Sequence, residues 1–202
     1  MQTSQDLKSL KSLDIILASE AQWRSDILNQ VGIFHRCAAH QYDEPEFETG
    51  SLIEFVKEIA AKKGLSLQKD NESSMIISAD QLITLDDDVF YKSGSRENAI
   101  NQLTKLNGKK HKLICAVAVV WHNKLYVECE EAYLKMRNLS AREINYYVDV
   151  DKPWDCAGSY KIESLGASLF EEIDVKDPTT IIGIPANLLI NIIRKLGFSN
   201  LV

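Results

Sequence analysis

Short aliphatic runs alternate with helix-period segments along almost the whole chain, and this alternation constrains the fold more than any other feature. Strands separated by amphipathic helices bury their faces as layers of helix on sheet, so the chain reads as α/β. Asp14–Ser19 is a short aliphatic strand. A helix is predicted from Ala21 to Val31, with Gly32 as its stop. Phe34–His40 reads as a second strand. Ser51 caps a predicted helix running to Lys63; Leu52, Phe55, Val56, Ile59 and Ala60 recur on it at helical spacing, and Gly64 closes it. Met75–Ala79 is a strand ending at Asp80, and Leu82–Leu85 pairs with Val89–Tyr91 around the acidic turn Asp86–Asp88. Ser95 caps the next helix, which carries Ala99, Leu103 and Leu106 on one face. Leu113–Trp121 and Lys124–Met136 are long strands joined tightly at His122–Asn123. Ser140 with Glu143 is a capping-box pattern opening the helix Ala141–Val148. Ala167–Ile173 is another strand, and Asn187–Leu196 a closing helix. The expected architecture is a mixed, bent β-sheet flanked by helices, with two lobes around a central cleft.

A chain of 202 residues suffices for one large domain or two closely packed lobes. Its longest apolar runs are too short to cross a bilayer. The start, MQTSQDLKSLKSL, lacks the apolar core of a signal peptide, so residues 1–13 read as an N-terminal extension. Leu7, Leu10 and Leu13 are spaced for a short helix packed on the body, and a loose extension fits as well. The net charge of −6 argues against broad nucleic-acid binding but leaves room for a phosphate substrate, which a few focused cations can hold. Cys37, Cys115, Cys129 and Cys156 are widely spaced with no CxxC. They read as reduced thiols of a cytoplasmic protein.

Ser19 to Arg24 lies at a strand-to-helix junction, where backbone amides and a guanidinium favour an anion. The simpler reading has Ser19 capping the helix and Arg24 in solvent. Asp80, closing an apolar run, is placed to hold a divalent metal or accept a proton from water; it also suits a turn. Asp43 and Glu44 form an acidic pair in a loop, and Glu44 could share a metal with Asp80. Asp86–Asp88 reads as a solvated turn. Lys63 and Lys92 matter only if the fold carries them to the cleft, and His111 reads as structural. Cysteine and histidine spacing suits no zinc site, and neither a GxSxG elbow nor a GxxxxGK[ST] loop is present.

In their order along the chain these segments resemble the Maf-like nucleotide pyrophosphatases, the septum formation inhibitor family, from Asp14 to Gly197. The family's LASxSPRR or LASxSPWRR start is LASEAQWRS here, and its V-D-E triplet is Tyr42-Asp43-Glu44. Its A-x-x-K-A element is Ala60 to Gly64, which puts Lys63 at the family lysine. Its A/S-D-T/Q-V motif is Ala79-Asp80-Gln81-Leu82. The G-K-P element is Tyr91-Lys92-Ser93 and S-G-x-x-H runs from Asn107 to His111. The A-G-x-Y/F segment is Ala157 to Tyr160, and G-L/I-P is Gly183-Ile184-Pro185.

The resemblance implies a single domain over residues 14–202 that cleaves a nucleoside triphosphate between its α and β phosphates. Asp80 would be the general base or a metal holder, and Glu44 would share a Mg²⁺ or Mn²⁺ ion with it. Ser19, Arg24, Lys63 and Lys92 would meet the phosphates. No nucleic acid or membrane is implied, and a homodimer is. Three positions depart from the family: Gln22 and Ser93 replace prolines, and Ser25 replaces a second arginine, with Lys161 as a substitute cation.

Within the family, Arg, Thr and Gln mark a dTTP/UTP type, and Trp, Gln and Glu a 7-methyl-GTP type. This chain has Trp23, Gln81 and Glu163. A methylated guanine carries positive charge, so stacking on an indole gains about 0.5–2 kcal/mol. Glu163 would accept from guanine N1–H and the 2-amino group. The expectation is therefore 7-methyl-GTP hydrolysis. A pyrimidine or other noncanonical nucleotide is the alternative, and a division-regulating interaction protein with little turnover is an alternative of another class.

Overall fold

The computed structural model describes residues 7–202. In chain order these form β1 (Lys8–Ser9), β2 (Ile15–Leu17), α1 (Gln22–Gln30), β3 (Arg36–Cys37), α2 (Leu52–Leu65), β4 (Met75–Leu85) and β5 (Asp88–Phe90). There follow α3 (Arg96–Leu106), β6 (Lys110–Trp121), β7 (Lys124–Met136), α4 (Ala141–Asp151), β8 (Phe170–Asp174), α5 (Thr179–Ile182), α6 (Ala186–Lys195) and β9 (Phe198–Ser199). The main sheet has the order β3-β2-β4-β6-β7-β8, with β5 added on β4. It is mixed, as expected: β2 is parallel to β3 and β4, while β4–β5 and β7–β8 are antiparallel. No helix among the described residues is long and apolar enough to cross a membrane.

The chain divides into two compact units. One takes in the described residues up to Asp80 with Cys115–Glu130 and Gly183–Val202; the other takes in Gln81–Ile114 and Glu131–Ile182.

In the first unit, β2 is flanked by parallel strands and Ile15, Ile16 and Leu17 are all buried, the continuous aliphatic run expected of a strand covered on both faces. Ile27 and Leu28 of α1, Val56 and Ile59 of α2, and Leu189, Ile192 and Ile193 of α6 supply buried helix faces. Two boundaries differ from expectation. The second strand shrinks to Arg36–Cys37 because only these two residues pair with β2, and Phe34 points to solvent. Gly64 lies inside α2 rather than ending it: a Cβ there would stand 2.7 Å from Ser78 Oγ and 3.2 Å from Val120 Cγ2, so glycine lets the helix lie close on the sheet. Of the N-terminal extension, residues 1–6 lie outside the described residues, and Leu7, Leu10 and Leu13 do not share an α-helix. Lys8–Ser9 pairs with Phe198–Ser199, and a 3₁₀ turn at Leu10–Ser12 buries Leu10.

In the second unit, the hairpin turn after β4 has Asp86 in the left-handed region (φ 54°), and its acids face solvent. Ser95 caps α3 by accepting from Asn98 N–H, and Ser140 with Glu143 closes a full capping box on α4. Arg96 ties α3 to α4 through Asp149 (2.6 Å) and Asn145 (2.9 Å). The strand expected from Ala167 starts at Phe170, because Leu165–Leu169 takes a 3₁₀ turn.

Candidate active site

Close approach of α2 to β4 builds the centre of the first unit. Ser78 Oγ donates to Ala60 O at 2.6 Å, and Gly64 leaves room for the contact. Residues two apart on a strand share a face, so Asp80 follows Ser78 toward the same helix. Lys63, in the last turn of α2, meets it there: Lys63 Nζ lies 2.6 Å from Asp80 Oδ1 and 2.9 Å from Glu44 Oε2. Lys63 and Asp80 are buried, whereas Glu44 is exposed, on a stretch between β3 and α2 without regular structure. Glu44 Oε1 stands 3.4 Å from His40 Nε2.

Asp80 was expected to end a strand. It sits instead in the middle of an 11-residue strand. A charge in a buried strand is tolerated because the ammonium of Lys63 answers it. Burial pushes the Asp80 carboxyl above the usual carboxylate range, opposed by Lys63 and, more weakly, by Arg24. Burial also pushes the His40 imidazole down, helped by the charge of Lys63 and opposed by Glu44. His40 is a site neighbour that sequence reasoning missed; its place four residues before Glu44 was the only signal.

Ser19 and Arg24 are organised differently from the simple helix-cap reading. The N-cap of α1 is Ala21, with no side-chain cap. Ser19 Oγ accepts from Ala21 N–H at 3.2 Å and from Arg24 Nη1 at 3.3 Å. Arg24 Nε donates to Gly183 O at 3.2 Å, so the guanidinium is held on two sides. Gly183 has φ 134°, and a Cβ there would lie 3.4 Å from both Arg24 Nε and Trp23 Nε1. The positive φ favours glycine where these two side chains rest, a role the G-I-P motif did not reveal. Ser19, Trp23, Arg24, Glu44, Lys63 and Asp80 all belong to this unit.

Gln81, Lys92 and Glu163 belong to the second unit. Gln81 Nε2 donates to Ile181 O at 2.9 Å and Thr180 O at 3.4 Å, both in α5, a helix not read from the sequence. Lys92 is exposed and forms an isolated backbone bridge with Ala157. Glu163 is exposed in a turn. Lys161 is not a spare cation: its Nζ donates to Asp151 O at 2.9 Å, at the carbonyl end of α4. His111 is structural, as expected. It is buried with Nε2 3.1 Å from Tyr160 Oη, and burial pushes its imidazole down to about 4. Asp88 pairs with Lys105 at 3.1 Å on the surface, consistent with a solvated acidic turn.

The profile of the Maf-like protein family matches residues 14–196. This chain belongs to the Maf-like family. A protein named 7-methyl-GTP pyrophosphatase from Vibrio parahaemolyticus is 33% identical over 94% of this chain and 98% of its own length. The protein of the same name from Idiomarina loihiensis shares 33% identity over the same fractions, and that from Pseudoalteromonas atlantica 33% over 91% and 95%. Among solved structures, the Staphylococcus aureus Ham1 protein is similar over 62% of this chain and 72% of its own, with 16% identity and a TM-score of 0.45, a likeness too distant to carry an argument.

Two of the three positions where this Maf-like chain departs from the family motifs have local side-chain partners. Ser25 Oγ is 2.8 Å from His35 Nε2, whose Nδ1 faces Ile33 O at 2.9 Å. Gln22 Nε2 donates to Asp26 Oδ1 at 2.8 Å, one turn along α1. Ser93 is buried, and its Oγ has no hydrogen-bond partner.

Proposed function

We propose that this chain, acting as one domain over residues 14–202, hydrolyses the α–β phosphate bond of 7-methyl-GTP to give 7-methyl-GMP and pyrophosphate. The observation that carries the reading is the buried Asp80–Lys63 pair with Glu44 on its open side, in a family whose similar members bear that activity as their name. Water attacks the α-phosphorus, the bond from the α-phosphorus to the bridging oxygen breaks, and pyrophosphate leaves with that electron pair. Asp80 is the proton acceptor: Oδ1 is engaged by Lys63, and Oδ2 takes the proton. Burial raises the Asp80 pKa and so makes its carboxylate the better proton acceptor, an effect that Lys63 opposes. Arg24, Lys63 and Lys92 neutralise phosphate oxygens, and Ser19 orients Arg24.

Two carboxylates aimed at a common positive charge suit a divalent cation that brings its remaining oxygen ligands from substrate phosphates and water. Among the described residues no three acidic, histidine or cysteine groups form a metal cluster by themselves. Glu44 and Asp80 would hold such an ion, Mg²⁺ or Mn²⁺. When bound, it supplies Lewis-acid polarisation of the phosphoryl oxygens.

Trp23 stacks on the cationic base in this reading, and Glu163 accepts from the guanine edge. Gln81, fixed on α5, completes the base contacts. The same proposal carries a cytoplasmic location and a homodimer, which light scattering tests.

Pyrophosphate release across a nucleotide panel with Mg²⁺ or Mn²⁺ tests the whole. 7-Methyl-GTP is expected to exceed GTP, UTP and dTTP clearly. Trp23→Ala should lose most of the preference over GTP, and Glu163→Gln should weaken every guanine substrate. A wild-type preference for UTP or dTTP overturns the substrate assignment, and a folded protein without turnover on any nucleotide overturns the enzyme.

A further inference from the structure

We propose that His40 is a positioning residue for Glu44: its Nε2–H donates to Glu44 Oε1 and holds the carboxylate so that Oε2 stays on Lys63. The inference rests on the catalytic reading of the Asp80–Lys63–Glu44 group. The need for such a residue comes from burial. The side chains of Lys63 and Asp80 are 5% and 11% exposed and are held by packing; that of Glu44 is 43% exposed and is not. Glu44 also lies on chain without helix or strand, where neighbouring ladder hydrogen bonds do not fix the backbone. Ala38 N–H donates to Leu17 O at 3.0 Å, Gln41 N–H donates to Ser66 Oγ at 3.0 Å, and Phe47 meets Phe55 edge to face. The two carboxylate oxygens of Glu44 face different partners. One contacts Lys63 Nζ at 2.9 Å and the other contacts His40 Nε2 at 3.4 Å. A carboxylate held at one oxygen pivots about that contact; held at both, it has a fixed plane. The His40 side chain is only 26% exposed, so it is the more firmly held partner of the pair.

His40→Ala should lower kcat on the best nucleotide by about tenfold, the scale of one hydrogen bond to a charged group, with a much smaller change in KM. His40→Gln, whose amide can donate along the same direction, should restore most of the loss. In a Glu44→Ala background, His40→Ala should cost nothing further, because its whole effect passes through Glu44. Long-range ¹H–¹⁵N NMR supplies a reading that needs no turnover. The neutral His40 ring should carry its proton on Nε2, and the Nε2–H signal should shift in Glu44→Ala. Wild-type kcat in His40→Ala overturns the proposal, as do additive losses in the double variant or a proton on Nδ1. If 7-methyl-GTP proves not to be the substrate, the kinetic arm is run on the nucleotide hydrolysed best and the NMR arm is unchanged. A wrong substrate and a wrong role for His40 therefore give different results.

Discussion

Asp80→Asn is expected to leave the protein folded and to lower turnover by about a hundredfold or more, which corresponds to about 2.7 kcal/mol of transition-state stabilisation. The structure separates this from any effect on stability. Asparagine has the size of aspartate and keeps an acceptor oxygen where Oδ1 now sits 2.6 Å from Lys63 Nζ. The ammonium also keeps Glu44 Oε2 at 2.9 Å. Stripping one partner from a buried ion pair costs roughly 3–5 kcal/mol when it leaves a bare charge. Here the cation retains two acceptors, and the cost of burying the Asp80 carboxylate disappears, so the net change is about 1 kcal/mol in either direction. For a chain of this length that moves Tm by roughly 2–4 °C. A folded population so little changed cannot yield a hundredfold loss of turnover.

The assay pairs saturating-substrate pyrophosphate release with thermal and urea melts of the same preparation. The melts carry a sign of their own. Folding raises the Asp80 pKa from its ordinary 3.8, so across the window above that value the native state binds more protons than the unfolded chain. Stability contributed at Asp80 therefore falls as pH rises through the window, and the variant, which does not titrate there, should gain on wild type between acid and neutral pH. Turnover within about threefold of wild type in the folded variant would refute the role of Asp80 as proton acceptor.

Chelation should abolish pyrophosphate release, and Glu44→Gln and Lys92→Ala should each impair it; full activity in excess chelator would remove the divalent cation from the reaction. Gly64→Ala should destabilise by about 1–3 kcal/mol despite alanine's better helix propensity, because its Cβ would press on Ser78 Oγ at 2.7 Å, and a Tm equal to wild type would show that α2 can shift freely. His111 is buried neutral, with its imidazole pushed down from 6.5 to about 4. Below pH 6.5 the unfolded chain takes up a proton that the native state refuses, so stability should fall by roughly 3 kcal/mol as pH drops toward 4. His111→Gln should flatten that slope in urea melts, and an unchanged slope would assign the acid sensitivity to other groups.

The parts of the fold that were legible in the sequence are those set by neighbours along the chain. Ser51, Ser95 and Ser140 announce their helices because a cap is chosen by the hydroxyl and the amides a few residues on. His122 and Asn123, both at positive φ, announce the tight β6–β7 turn for a similarly local reason. The candidate residues were identified largely through motif order, but their arrangement was not legible. Asp80 read as a strand end because a carboxylate interrupts an apolar run; nothing local to Met75–Leu85 says that an ammonium from α2 will meet it in mid-strand. Gly64 read as a stop because glycine commonly ends helices, yet here it is the contact that lets Lys63 reach Asp80. Gly183 stood out only as part of the G-I-P motif, which does not say that its backbone takes φ 134° beside Trp23 and Arg24, far away in sequence. In each case the residue breaks a local rule and is excused by a partner on another element. Such exceptions concentrate at functional sites, where a local cost is tolerated for what the partner does. The charged residue that should have ended a strand is for this reason a stronger pointer to the chemistry than any helix cap that obeyed the rules.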